Sequence, residues 1–253
     1  MHNDIKKAFS QTTKILLGVD LGDAELYEKW LMHNVRMVFE QKSAVSTKPV
    51  YTLPFKFYMA ARERSTQLEE SLELGKRMLS EKDAQQISLS NAPQTLKDIS
   101  YYTSQTVLGT NIEVVKSGLH LDSSYCYYGA NFVNSKYCAY CMWPRQSEYI
   151  FGSDICFSSK FCINCYNSIS LSRCFEVSYS NSCNDCMFCH NCEGCSDCIF
   201  CFNAKSLRYA IFNREYAKEE YLKIKKLVLS EISGKLLRDK NLDLNIYNLG
   251  CRS

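Results

Sequence analysis

Seven cysteines stand three residues apart in "SCNDCMFCHNCEGCSDCIFC" (182–201): Cys183, Cys186, Cys189, Cys192, Cys195, Cys198 and Cys201. Thiolates at Cys-x-x-Cys spacing ligate soft metals, so Cys186, Cys189, Cys198 and Cys201 make one four-sulfur candidate set for zinc, with iron beside it. Thiols on neighbouring strands about 4.8 Å apart also fall within disulfide range. The third chemistry is inertness, since a free cysteine behaves as a small hydrophobe and is among the most buried residue types.

The choice among these depends on what holds the sulfurs. Every third residue from Cys126 to Ala204 samples 27 positions, of which 14 are Cys, 6 are Ser and none is charged. No cysteine of this zone lies off the register. Insertions have therefore come in multiples of three, as in a solenoid and unlike a globular loop. Rows of twelve place Cys126, Cys138, Cys162, Cys174, Cys186 and Cys198 in one column, with Ile150 as the exception. The next column is always apolar or aromatic: Tyr127, Ala139, Phe151, Ile163, Phe175, Met187 and Ile199. Rows of eighteen mix Tyr127 with Arg145 and Asn181, so the coil has about 12 residues and the zone holds about seven coils. Strand side chains alternate with period two, so a period of three means a corner at nearly every third residue. Such a narrow coil admits Cys, Ser, Ala and Gly inside. The expectation is an inward, reduced, metal-free ladder, with zinc or iron ligation and disulfides as the alternatives.

The ladder closes on "FNAKSLRYAIFNREYAKEEYLKIKKL" (202–227). Over roughly residues 120–230 the chain resembles a cysteine-rich repeat family of reduced-genome bacteria and archaea, often labelled CoA-transferase (CaiB/BaiF) without support from sequence. The resembling steps are Lys205 to Asn213 and "YAKEEY" at Tyr216 to Tyr221, where Ala217 stands in place of Ser. The resemblance implies the repeat architecture and no activity. Family members usually begin with Cys-x-x-Cys zinc ribbons, which this chain lacks.

The flanks read differently. Residues 1–100 carry no cysteine and are expected to be mostly helical. "DAELYEKWLMHNVRMVFEQK" (23–42) reads as a helix capped by Asp23, with Leu26, Trp30, Val35 and Val38 on one side. "VYTLPFKFYM" reads as an extended connector or short strand. "RSTQLEESLELGKRMLSEKDAQQI" reads as helical, with Ser65 as cap and Leu68, Leu72 and Met78 among charges. "ILLGVDLGD" (15–23) lacks the Gly-Gly-Thr turn of a sugar-kinase phosphate loop and reads as a break between helices at Gly18 or Gly22. Residues 214–238 read as an amphipathic closing helix with a seam of Tyr221, Ile224 and Val228. The domains are thus 1–100 helical, 101–213 cysteine-lined β-solenoid, and 214–253 closing helix and tail, an α+β chain.

Thirty Lys+Arg against 27 Asp+Glu argue for neither nucleic acid nor membrane binding. There is no 18-residue apolar run and no secretory leader pattern, and an odd 15 cysteines fit a reducing, cytoplasmic setting. His190 lies off the ladder register and should face outward, while Asp185, Glu193 and Asp197 read as a solvated face. No nucleophile–base constellation emerges. The expected function is a non-enzymatic scaffold or protein-binding module without a cofactor, engaging a protein partner or a second copy. The alternative is a zinc or iron binding or sensing protein that uses the ladder.

Overall fold

A computed structural model describes residues 1–251. Its helices are α1 (Asn3–Leu17), α2 (Glu28–Met32), α3 (Lys56–Ala60), α4 (Leu68–Leu74), α5 (Glu81–Gln85), α6 (Ala92–Thr95) and α7 (Lys218–Asp239). From Thr106 to Ile211 the chain winds into a β-solenoid of about nine turns, each coil about 12 residues long. From Ile112 on, strands pair in parallel with the next coil at a constant offset of twelve, as Cys126↔Cys138, Cys162↔Cys174 and Cys198↔Ala210, while Thr106–Leu108 pairs at thirteen. Two more coils exist than the seven expected, because the first ones carry no cysteine: β3 (Thr106–Leu108) and β4 (Ile112–Ser117) open the winding. No helix among the described residues is long and apolar enough to cross a membrane.

The corner at every third residue has a backbone cause. From Asp122 to Phe212 every third residue has positive φ, and only Gly152 and Gly194 in that series are glycines. Asn and Asp, which tolerate this region best, recur there at Asn131, Asn134, Asn164, Asn167, Asp185, Asn191, Asp197 and Asn203. Each corner residue immediately precedes an inward one, giving a triplet of corner, inward and outward positions. The inward positions are buried without a break from Ser123 to Ala204.

The outward stripe Phe151, Ile163, Phe175, Met187 and Ile199 leaves the solenoid interior but is also buried, in a second core shared with the helices. Of the two candidates to cover such a stripe, the closing helix and the N-terminal helices, α1 does most of it. Its buried residues Ile5, Ala8, Phe9, Thr12, Thr13, Leu16 and Leu17 recur at three- and four-residue spacing, one face of a helix. At about 1.5 Å per residue α1 reaches about 22 Å, which matches five coils spanning about 19 Å. Phe9 meets Phe151 edge to face at 5.1 Å, and Gly18 ends α1 in a left-handed cap (φ 74°). The helix α7 begins at Lys218 rather than 214, because Arg214–Glu215 turns back antiparallel on the last coil. It packs on that coil through Tyr221 and on α1 through Ser233, whose Oγ donates to the Leu17 carbonyl at 3.2 Å.

The helix expected over 23–42 is shorter. Asp23 does cap, accepting from the Glu25 N–H at 3.0 Å, but the helical part ends at Met32. Residues Phe39–Lys42 (β1) then pair antiparallel with Pro49–Thr52 (β2), and Leu26 is exposed. The β-rich "MVFEQK" end prefers the hairpin once α2 has docked on the solenoid. That docking is close: a Cβ on Gly152 (φ 63°) would sit 2.7 Å from the Leu31 carbonyl oxygen. Farther on, Gln67 rather than Ser65 caps α4, and Leu72 and Met78 are exposed, so residues 65–88 form short helices in which Leu74 is the buried apolar residue.

Candidate functional site

The interior is the chemically distinctive part of the molecule. Around each coil, outward N–H groups donate to the carbonyl eleven residues ahead, as Lys136 to Ser147 at 3.0 Å. Corner N–H groups donate thirteen residues back, as Asn134 to Leu121 at 2.9 Å. Where the inward side chain one coil earlier carries oxygen, the inward N–H can bond to it instead. Thus Ser159 N–H donates to Ser147 Oγ at 3.1 Å, Leu171 N–H to Ser159 Oγ at 3.0 Å and Cys192 N–H to Ser180 Oγ at 3.0 Å. Sulfur takes the same place: the N–H groups of Ser153, Cys195 and Ala204 meet the sulfurs of Cys141, Cys183 and Cys192.

These side chains also donate. The Ser147 hydroxyl reaches the Arg145 carbonyl at 2.7 Å with the Cys156 carbonyl at 3.1 Å, two residues back and nine ahead. The Cys183 thiol faces Asn181 and Cys192 carbonyls in the same relation, at 3.4 and 3.5 Å. Cysteine and serine therefore interchange because each is small, accepts from the next coil and donates to a carbonyl. Gly129, Phe132, Ile150, Leu171 and Val177 cannot accept in this way, and above Phe132 the stacked residue is Pro144, which has no N–H to satisfy.

The four cysteines singled out for metal do come together. The Cys186 sulfur adjoins those of Cys189 and Cys198, and Cys201 adjoins the same two. The contact network does not stop there, because Cys186 also meets Cys174 and Cys183. Among the described residues no group of three or more His, Cys, Asp or Glu is arranged to hold a metal ion. All the ladder cysteines are free and buried, while Cys251 is exposed. Burial pushes the Cys126, Cys162 and Cys174 thiols well above their ordinary range and Cys165 up to about 11. Such thiols are protonated at neutral pH and poor nucleophiles.

Outside the ladder, His190 is half-buried and its Nδ1 lies 2.8 Å from Ser178 Oγ. Asp185, Glu193 and Asp197 each hold a cation: Arg173 at 2.6 Å, Lys205 at 2.7 Å and Lys225 at 3.5 Å. One corner column becomes a row of half-buried rings, Tyr125, Tyr137, Tyr149 and Phe161, at centroid spacings of 5.3, 5.0 and 4.6 Å. Lys136 leans over Tyr137 at 4.8 Å and Lys160 over Phe161 at 5.5 Å.

Two buried carboxylates escaped the sequence reading. Asp154 accepts from the Arg36 fork, with Nε and Nη2 each at 2.7 Å, at the floor of a cleft of about 400 Å³ that Asn34, Tyr179 and Tyr247 also line. Glu176 accepts from Asn164 Nδ2 at 2.8 Å and from the Ile246 N–H at 2.9 Å, and burial pushes its carboxyl up to about 7. The signal for both was present: within residues 126–204 each is the lone charge in its twelve-residue column. No family model matches the chain, and no curated protein matches it.

Proposed function

We propose that the protein is a non-enzymatic scaffold that presents a rigid, linear surface to a protein partner. The observation that carries this reading is the row Tyr125, Tyr137, Tyr149 and Phe161 with its flanking lysines. The polar capacity of the interior is used to hold the coils together, so any recognition falls to the outer faces. Half-exposed aromatic rings on a stiff backbone give contact area at low entropic cost. A photo-cross-linking residue in place of Tyr137 should capture partner polypeptide in cells, and one in place of Ser170, on the small polar corner column, should not. Equal capture at both positions, or none at Tyr137, would remove this reading.

A second reading, zinc or iron binding or sensing, is favoured by the ring of Cys186, Cys189, Cys198 and Cys201 sulfurs. Native mass spectrometry of protein purified without oxygen separates the two: a stoichiometric ion lost only on unfolding would establish the metal reading. The family resemblance over 120–230 belongs to the same proposal and adds no activity to it.

A further inference from the structure

The two ends of the solenoid are finished differently. At the C-terminal end the last coil is closed: Arg214–Glu215 pairs back on it antiparallel, and the Asn213 amide bonds both the N–H and the carbonyl of Phe202, each at 2.8 Å. The helix α7 then covers Tyr209. At the N-terminal end nothing comparable follows. The strand β3 pairs only with the next coil, and so does β4, leaving one side of each backbone without a strand partner.

That end is also apolar. Val107 pairs with His120 in an inward column yet is 47% exposed, and outward Leu108, Ile112 and Val115 are 55%, 49% and 45% exposed. The inward column that is buried from Ser123 onward thus emerges into solvent here. Open edges of this kind are a template for another strand and are usually blunted. This one has no proline and only one extra residue, between β3 and β4, and its charges are mixed. Glu113 is exposed and has no ion pair among the described residues, and Lys116, 3.8 Å from Glu40, lies three residues further along β4.

We infer that a second copy of this chain docks on this edge, head to head, with β4 antiparallel to β4. Head-to-tail stacking is blocked because the C-terminal coil offers no free edge. A two-fold axis through Val114 sets inward residue against inward residue and places Glu113 of each copy within one residue of Lys116 of the other. The contact is isologous, so it closes at two copies and makes no fibre. The inference rests on the scaffold reading and supplies a two-fold platform for it.

Sedimentation velocity over a concentration series tests this. The full chain should sediment as a dimer. Glu113→Lys and Lys116→Glu should each weaken dimerisation at least about tenfold, because like charges then meet across the axis. An equimolar mixture of the two variants should regain the dimer, while unchanged thermal melting of each shows that the coils are intact. A wild-type monomer at about 100 µM, variants as dimeric as wild type, or a mixture that stays monomeric would each overturn the inference; this concentration is far above typical dissociation constants of specific interfaces. Cross-linking at Tyr137 reads the scaffold proposal independently, so a monomer that still captures partner would sink the dimer alone.

Discussion

An inward cysteine or serine does three things: it fills a narrow corner, accepts from the residue stacked upon it and donates to a carbonyl. This makes cysteine and serine near-equivalents and alanine deficient. Cys141 is a clean case, with its thiol 3.1 Å from the Ala139 carbonyl and its sulfur meeting the Ser153 N–H. Cys141→Ser should melt close to wild type, whereas Cys141→Ala should cost about 1–3 kcal/mol by orphaning a buried N–H. Were sulfur present only as apolar filler, serine would be the more damaging replacement. Thermal melting of the two variants decides the matter. Glu176 gives a second residue-scale prediction. Its carboxyl rises from 4.5 to about 7 on folding because it is buried. The stability linked to its proton is therefore full below pH 4.5 and lost as pH rises through 7, a swing of about 3 kcal/mol. Asn164 Oδ1 has no partner, and turning the amide over would let the protonated carboxyl donate to it. Glu176→Gln keeps an acceptor for the Ile246 N–H, so its melting temperature should be flat over this window while that of wild type falls. Parallel slopes in the two proteins would contradict the assignment.

Among the elements, legibility followed periodicity. The ladder announces the coil because one column admits only small or uncharged residues and repeats without slippage. The outer stripe was visible for the same reason, but its cover was not. The face of α1 is built partly from Ala8, Thr12 and Thr13, which are weak hydrophobic signals, while α7 displays leucines on several sides, including Leu222, Leu227 and Leu237 that remain exposed. Covering the stripe therefore fell to the helix with the tidier spacing rather than the greasier one. Short elements in 23–100 were misjudged because tertiary docking of α2 and pairing of β1 with β2 overrode local propensity. Phe9→Ala should cost about 3–5 kcal/mol, since Phe9 is fully buried against Phe151 and Tyr27. Val228→Asp should cost clearly less, because Val228 is only half-buried beside Phe188 and Phe200. Denaturant unfolding that ranks the two the other way would return the stripe to α7.

The molecule as a whole is a rod whose flanking segments are tied on at two buried carboxylates. Asp154 holds the N-terminal region through Arg36, and Glu176 holds the tail through Ile246. Coils themselves should be exchangeable units, since each contacts its neighbours in one register. Deleting residues 162–173 should leave a folded, less stable solenoid, whereas removing six residues sets inward columns against the wrong neighbours and should abolish cooperative unfolding. Equal folding of both deletions would refute the twelve-residue coil. The account stands on an interior of reduced thiols and hydroxyls that serve the backbone rather than an ion. Its most direct test is a thiol and metal count on one anaerobically purified sample. The native protein should show one fast-reacting thiol, that of Cys251, and all 15 after unfolding, with no metal released. Zinc or iron released in stoichiometric amount on unfolding, or a total short of 15 thiols, would contradict it.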